Sequence, residues 1–284
     1  MWNSKKIFRG IFLGIFLLIT IFVWYGVWAE ERGEILTVAF LDVGQGDAIF
    51  IEAPSGKQVL IDAGPNKKVL RELSKQMPFY DRSLDLVVIT HPDSDHIGGF
   101  PELFKTYSID RVLESGVMCE SEICVELSKQ FKENGAEKIV AQRGMIIDLG
   151  TGVYLEVLFP DRDATNFETN VASLVIKLVY GNSSFLLTGD SPQEIENYLV
   201  SLDAFNLDAD VLKLGHHGSK TSSSEFFIGY TSPEFAVISV GKDNRYGHPN
   251  QEVLDILNEF EIKVLRTDEQ GTIVIKSDGE NLFY

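Results

Sequence analysis

The sequence predicts an α/β fold of four layers, two β-sheets face to face with helices outside them, preceded by one apolar helix. Three observations carry this. An uncharged stretch runs from Gly10 to Ala29. Beyond it, apolar runs of strand length alternate with helical patterns. And one hairpin–helix–strand plan occurs twice, so that each copy builds a sheet whose inner face needs the other to cover it.

Residues 10–29 match the roughly 20 residues that span a bilayer. Lys5, Lys6 and Arg9 precede them, and Glu30 and Glu31 follow. The positive-inside rule then puts residues 1–9 in the cytoplasm and the rest outside. A cleaved signal peptide is the competing reading, because Val27-Trp28-Ala29 ends in a small residue. Trp24, Tyr25 and Trp28 resemble an interfacial belt and favour the uncleaved anchor. Either way the remainder is exported, as one domain over residues 35–284.

In the first half, Ile35–Phe40 reads as a strand, followed by the Gly-rich turn Asp42–Asp47 and a strand over Ala48–Glu52. Pro54-Ser55-Gly56-Lys57 is a hairpin turn, and Gln58–Ile61 is a strand ending in Asp62-Ala63-Gly64. Residues 66–77 look helical and stop at Pro78. Leu86–Thr90 is an apolar buried strand. A helix begins after Gly99 and carries Leu103 and Phe104, and another covers Ser128–Asn134. The second half repeats the plan. Gly181–Ser184 is a turn, Phe185–Leu187 a strand ending in Thr188-Gly189-Asp190, and Gln193–Leu202 a helix. Asp210-Val211-Leu212-Lys213-Leu214-Gly215-His216 then matches Asp85-Leu86-Val87-Val88-Ile89-Thr90-His91 without a gap. His216 and His91 are therefore expected at corresponding sheet edges, where two distant ligand sets converge.

The chain carries a formal charge of −17, and the first 29 residues hold three basic residues and no acidic one, which leaves −20 on the rest. That opposes long-range attraction to nucleic acid or anionic lipid. It leaves a phosphodiester substrate open, since bound metal ions reverse the local field. Cys119 and Cys124 are the two cysteines. Outside the cytoplasm they can close a small disulfide loop, and two unpaired thiols are the other reading.

The densest chemistry is His91-Pro92-Asp93-Ser94-Asp95-His96, followed by Gly98-Gly99. Two imidazoles and two carboxylates fall within six residues at the end of a buried strand. Two closely spaced divalent ions require about this many convergent N and O donors. A solvated His/Asp turn does not account for so tight a grouping.

These residues carry a family resemblance. His91-x-Asp93-x-Asp95-His96 resembles the metallo-β-lactamase superfamily signature, which usually reads His-x-His-x-Asp-His. The departure at Asp93, with Leu41–Ala48, Leu60–Gly64, Thr188–Asp190, Leu214–Ser219 and Tyr246–Pro249, is similar to one branch. That branch is the C-terminal hydrolase domain of ComEC-type DNA-uptake proteins and their free-standing relatives, and the resemblance covers residues 36 to about 276. The many membrane helices and the separate competence domain of a full channel do not occur in this sequence. The chain is expected not to be the channel, and a separate DNA-uptake channel is a partner the resemblance leaves open.

The resemblance implies an αββα sandwich with two divalent ions, zinc or manganese, at the shared sheet edge. It puts His91 and Asp93 on the first ion, Asp95 and His96 on the second, and Asp190 between them. Activated water would then attack phosphorus in a phosphodiester, DNA above all. A small phosphodiester or ester substrate at the cell envelope, or a non-catalytic binding module, is the rival. Asp62, taken as the repeat partner of Asp190, is read as a buried carboxylate behind the ligands. His216 and His217 offer a ligand or the acid for the leaving oxygen, with His216 the ligand and His217 the acid or a supporting group. His248 stands where many superfamily phosphodiesterases place their last metal histidine. No histidine occurs from residue 97 to 215, and Asn170 stands where ComEC-type proteins carry an Asn. Asp93 and Asn170 in place of histidines shift preference from zinc towards manganese or magnesium. Asp42, Gln45 and Asp47 either support the site or cap a tight turn. Ser219, with Lys220, Thr221 and Ser222, either meets phosphate or caps a helix.

Overall fold

Two sheets of eight and seven strands stack with helices on both outer faces in the computed structural model, which describes residues 4–29 and 33–284, with side chains over 6–25 and 33–284. Residues 1–34 and 35–284 form separate units. The first holds α1 (Ser4–Ala29), within which Lys6–Tyr25 is long and apolar enough to cross a membrane. Glu30, Glu31 and the side chains of Val27-Trp28-Ala29 lie outside the described residues, so the flank and cleavage readings rest on sequence.

In the second unit the chain runs β1 (Leu36–Phe40), β2 (Ile49–Glu52), β3 (Gln58–Ile61), α2 (Lys68–Gln76), β4 (Ser83–Ile89), α3 (Ser94–Ile97), α4 (Phe100–Thr106), β5 (Ser108–Glu114), α5 (Glu122–Asn134) and β6 (Glu137–Val140). It continues through β7 (Ile146–Gly150), β8 (Val153–Phe159), β9 (Val175–Tyr180), β10 (Ser183–Leu187), α6 (Gln193–Asp203), β11 (Val211–Lys213), α7 (Glu225–Thr231), β12 (Phe235–Ile238), α8 (Gln251–Glu259) and β13 (Lys263–Arg266). Last come α9 (Thr267–Gln270), β14 (Ile273–Ser277) and β15 (Leu282–Phe283). The sheet orders are β15-β14-β1-β2-β3-β4-β5-β6 and β13-β12-β11-β10-β9-β8-β7.

The layers follow from period-two alternation. Val38, Ile51, Val59 and Val88 of one sheet meet Leu155, Ile176, Phe185 and Val237 of the other in a central core. The opposite faces carry Phe50, Leu60 and Val87 against Val69, Phe100 and Leu127 of α2, α4 and α5, and Leu186, Leu212 and Ala236 against Leu199, Phe227 and Leu257 of α6, α7 and α8.

The repeat is present in the pairing. β3 pairs parallel with β4, Val59 opposite Leu86, as β10 pairs parallel with β11, Phe185 opposite Val211. The two halves even share a side-chain bond. Gln58 N donates to Asp85 Oδ2 at 2.8 Å, and Ser184 N donates to Asp210 Oδ2 at 2.7 Å. This register corrects one expectation. It sets Asp62 against Thr188, and Asp190 against Gly64, so Asp62 is not the counterpart of Asp190. Strands β5 to β9 and β12 to β15 add to the sequence reading, which named no strand there. β6, β7, β13 and β15 are sheet edges, and in β6 and β7 exposed positions interrupt the apolar signal, whereas β5 and β12 are interior parallel strands.

Candidate metal centre

The parallel strands of both sheets end at one edge, and the chain leaving β3, β4, β10 and β11 carries Asp62, His91, Asp190 and His216. His91 Nε2 lies 3.9 Å from Asp190 Oδ2, and His96 Nε2 lies 3.3 Å from Asp190 Oδ1. Asp190 Oδ2 also faces His216 Nε2 at 3.8 Å and His217 Nε2 at 3.6 Å. His217 Nε2 stands 3.4 Å from Asp95 Oδ2. Both halves of the sequence thus converge on one carboxylate.

The pattern of satisfied and unsatisfied nitrogens shows what this cluster fits. His96 Nδ1 bonds Asp62 Oδ2 at 2.7 Å, and His217 Nδ1 bonds the Ser239 carbonyl at 2.9 Å. Thr90 Oγ1 donates to Asp62 Oδ2 at 2.6 Å, so it accepts from His91 Nδ1 at 3.0 Å. In these three histidines Nδ1 is anchored. The Nε2 atoms of His91, His96 and His217, with Asp190 Oδ1, are enclosed and have no hydrogen-bond partner. A buried polar atom without a partner costs about 1–3 kcal/mol, and four facing one another have no structural use. Anchored Nδ1 and free Nε2 is the arrangement of metal-ligating histidines. Three-donor groups occur at His91–His96–Asp190 and at Asp95–His96–His217. The donors present fit divalent ions.

The local backbone explains the geometry. Gly46 lets the turn lie on the cluster loop, since a Cβ there would stand 2.0 Å from the Asp95 carbonyl oxygen. His216 and His217 both adopt the left-handed region, at φ 48° and 55°. Such backbone costs about 1–3 kcal/mol per residue. It turns both rings onto Asp190 from adjacent positions.

Charge is arranged around this point. Burial opposes a proton on His91, and neighbouring His96 adds to it, so its pKa is pushed down to about 3. Burial also opposes charge on His217, but Asp190 and Asp47 outweigh it and raise its pKa to about 9. His96 is raised in the same way, against burial, by Asp190 and Asp62. Asp190 is buried, yet His217 and His96 hold it well below the usual carboxylate range.

The remaining sequence-predicted residues divide. Asp93 Oδ2 lies 3.8 Å from His91 Nε2 and is 40% exposed. Burial raises its pKa, against a hydrogen bond from Thr169. Asn170 Oδ1 is enclosed without a partner on that same loop. Asp47 joins the cluster, 3.4 Å from His217 Nδ1 and 3.8 Å from His96 Nδ1. Asp42 does not: it caps Gly44 N at 3.2 Å and pairs with Lys68 at 2.8 Å. Gln45 Oε1 accepts from Gly241 N at 3.2 Å and ties the turn to the second half. His248 lies outside the three-donor groups, with its ring 5.6 Å from that of His216. The geometry therefore differs from the expected ligand set, bringing His217 rather than His216 or His248 beside Asp95 and His96. Ser219 caps Thr221 N at 3.3 Å, whereas the cap of α7 is Ser224, five residues on.

Sequence reading missed Lys213. Its side chain is fully enclosed and its Nζ pairs with Asp47 Oδ2. The repeat held the signal: lysine stands here opposite Val88 of the first half, in an otherwise apolar strand. Cys119 and Cys124 form a disulfide.

Comparison with known proteins agrees. ComE operon protein 3 of Bacillus subtilis is 37% identical over 254 residues, 83% of this chain and 32% of that protein, and is one of several competence proteins that are 31–37% identical over most of the chain. The chain spans about a third of the length of that relative. Exodeoxyribonuclease WalJ of Streptococcus pneumoniae is 25% identical over 183 residues, 61% of this chain and 62% of that one. The metallo-β-lactamase fold protein YhfI of Bacillus subtilis superposes with a TM-score of 0.59 at 13% identity, over 85% of this chain and all of that one. The metallo-β-lactamase superfamily pattern matches residues 41–242, which span both converging halves, and the chain belongs to that superfamily.

Proposed function

We propose that this chain is an exported, membrane-anchored phosphodiesterase that cleaves DNA with two divalent metal ions. The carrying observation is the set of enclosed, partnerless atoms His91 Nε2, His96 Nε2, His217 Nε2 and Asp190 Oδ1 at one sheet edge. The exodeoxyribonuclease and competence relatives support DNA as the substrate.

In this reading His91, Asp93 and Asp190 hold one ion, and Asp95, His96, His217 and Asp190 the other. Asp190 would suit a shared position because both its oxygens point at histidines, Oδ1 at His96 and Oδ2 at His91 and His217. The bound ions supply activation of water near neutral pH and stabilisation of negative charge at phosphorus. Asp62 fixes the ring of His96 directly and that of His91 through Thr90. His216, 31% exposed beside Asp190, stands on the open side and protonates the leaving oxygen. The mix of carboxylate and imidazole donors accommodates manganese as well as zinc. The apolar Lys6–Tyr25 helix anchors the chain, with the basic residues before it on the cytoplasmic side. A separate DNA-uptake channel is its natural partner.

The charge of −17 favours a second reading, a small phosphodiester substrate, because no long-range field draws in a polyanion. One experiment separates the two. The full chain in detergent micelles, loaded with manganese or zinc, is assayed on labelled DNA and on bis-p-nitrophenyl phosphate, with Asp190→Ala as control. Cleavage of DNA that Asp190→Ala abolishes supports the nuclease. Cleavage of the small diester alone favours the second reading. A wild-type chain that binds no metal overturns both.

A further inference from the structure

A cavity of about 270 Å³ opens one strand over from the metal cluster. Its floor is set by the pairing of β4 with β5. Ile89 lies opposite Glu114, so Thr90-His91-Pro92 and Ser115-Gly116-Val117 leave neighbouring strands side by side. Pro92 lines the cavity next to His91, and α5 closes the other side with Leu127 and Phe131. The loop of residues 161–173 joins the two places. Met118 N in the cavity wall donates to the Thr165 carbonyl at 3.0 Å, and Thr169 four residues later lies near enough to Asp93 to lower its pKa. Cys119 and Cys124, also in the wall, are bridged and hold the segment between β5 and α5 in place.

The lining selects a chemistry. The two charged residues of the wall neutralise each other, Lys138 Nζ lying 2.6 Å from Glu114 Oε1. An anion gains nothing here. Phe131 and the Met118 thioether offer polarisable, apolar contact to a flat ring. Ser115 and Thr165 add polar residues to the lining. The volume is below the roughly 300–1,000 Å³ of pockets for drug-sized ligands, so it admits one ring system and no duplex.

Resting on the phosphodiesterase reading, we propose that this cavity receives one nucleobase of the strand whose phosphate lies at the metal cluster. The base must then be unstacked and unpaired, which commits the site to single strands or frayed ends. Recognition by stacking tolerates any base. It also answers the acidic surface: the strand is held by the metal site and one inserted base instead of by a basic groove.

The test fills the cavity. Ser128 is exposed on α5 and lines the cavity. In the full chain in detergent micelles, Ser128→Trp and Ser128→Ala are compared with the parent on a labelled single-stranded oligonucleotide and on bis-p-nitrophenyl phosphate. The expected result for Ser128→Trp is a fall of about ten-fold or more in the ratio of the two kcat/KM values, with Ser128→Ala near the parent. A matching fall occurs in the parent when the oligonucleotide carries an abasic position beside the scissile phosphate. Activity on the small diester and the thermal melt report that Ser128→Trp is folded. A ratio unchanged by both the tryptophan and the abasic position overturns the proposal. If the parent cleaves neither substrate, the phosphodiesterase reading has failed by itself. Fluorescence anisotropy then decides the cavity: tighter binding of the intact than of the fully abasic oligonucleotide, lost in Ser128→Trp, supports it, and equal binding sinks it.

Discussion

Lys213 Nζ and Asp47 Oδ2 form an ion pair that solvent does not reach, directly behind the histidines of the metal cluster. Burial works against the Asp47 carboxylate, yet Lys213 and His217 outweigh it and hold it far below its ordinary range. Lys213 Nζ also donates to the Gly189 carbonyl at 3.3 Å, one residue before Asp190. One cation thus braces the Gly-rich turn of the first half and the Asp190 turn of the second.

Lys213→Met should therefore destabilise the domain by about 3–5 kcal/mol, the cost of a buried charge left alone. Adding Asp47→Leu removes that charge and should recover part of the loss. Urea unfolding of the single and double variants measures both. A single variant within 1 kcal/mol of the parent would show that the pair contributes little.

His217→Ala should lose bound metal, and His248→Ala should retain it. His217 Nε2 faces Asp95 and Asp190 within 3.6 Å, whereas His248 belongs to no three-donor group. Metal content by elemental analysis after dialysis decides this. The reverse pattern would return the last histidine ligand to the position expected from sequence.

Gly46→Ala should fail to load metal, because the new methyl would drive into the Asp95 carbonyl at 2.0 Å and push the loop off the site. Gly44→Ala is the control. It also has a positive φ, of 91°, but meets nothing within 4 Å, so it carries backbone strain alone. Equal metal affinity in the two variants would refute the steric account.

Glu196, buried behind Gly215, supplies a pH test. Burial raises its pKa to about 8, against hydrogen bonds from Ser223 N and Ser224 N, from an ordinary value of 4.5. The folded state then holds a proton that the unfolded chain releases. Its contribution is complete below pH 4.5 and is lost as pH rises towards 8, with a slope of up to about 1.4 kcal/mol per pH unit. Glu196→Gln keeps an uncharged group at every pH. The stability difference between the variant and the parent should grow in favour of the variant from pH 5 to 8. A difference flat across that window would mean that Glu196 is ionised throughout.

Much of the site was legible because its chemistry is local in sequence. His91, Asp93, Asp95 and His96 lie within six residues, and the matched segments 85–91 and 210–216 place His216 at the equivalent edge. The helices α2, α4 and α6, and the second half of α5, were readable from the sequence. Edge strands were not, because β6 and β7 are largely exposed and lack the alternation that marks a half-buried strand.

By itself the sequence determined the layered α/β class, the internal repeat, the apolar helix and the placing of His91 and His216 at equivalent strand ends, since each follows from spacing along the chain, while Asp190 came in through the family resemblance. Only the tertiary structure decided that His217 stands beside Asp95, that Lys213 is enclosed against Asp47, and that Asp62 anchors both His96 and His91. Those relations join residues 34 to 166 positions apart or route through a third side chain. The physical reason is that a left-handed backbone at His216 and His217, and burial that leaves the Nδ1 atoms of His91, His96 and His217 only protein acceptors or donors to pair with, select one arrangement among several that spacing alone leaves equal.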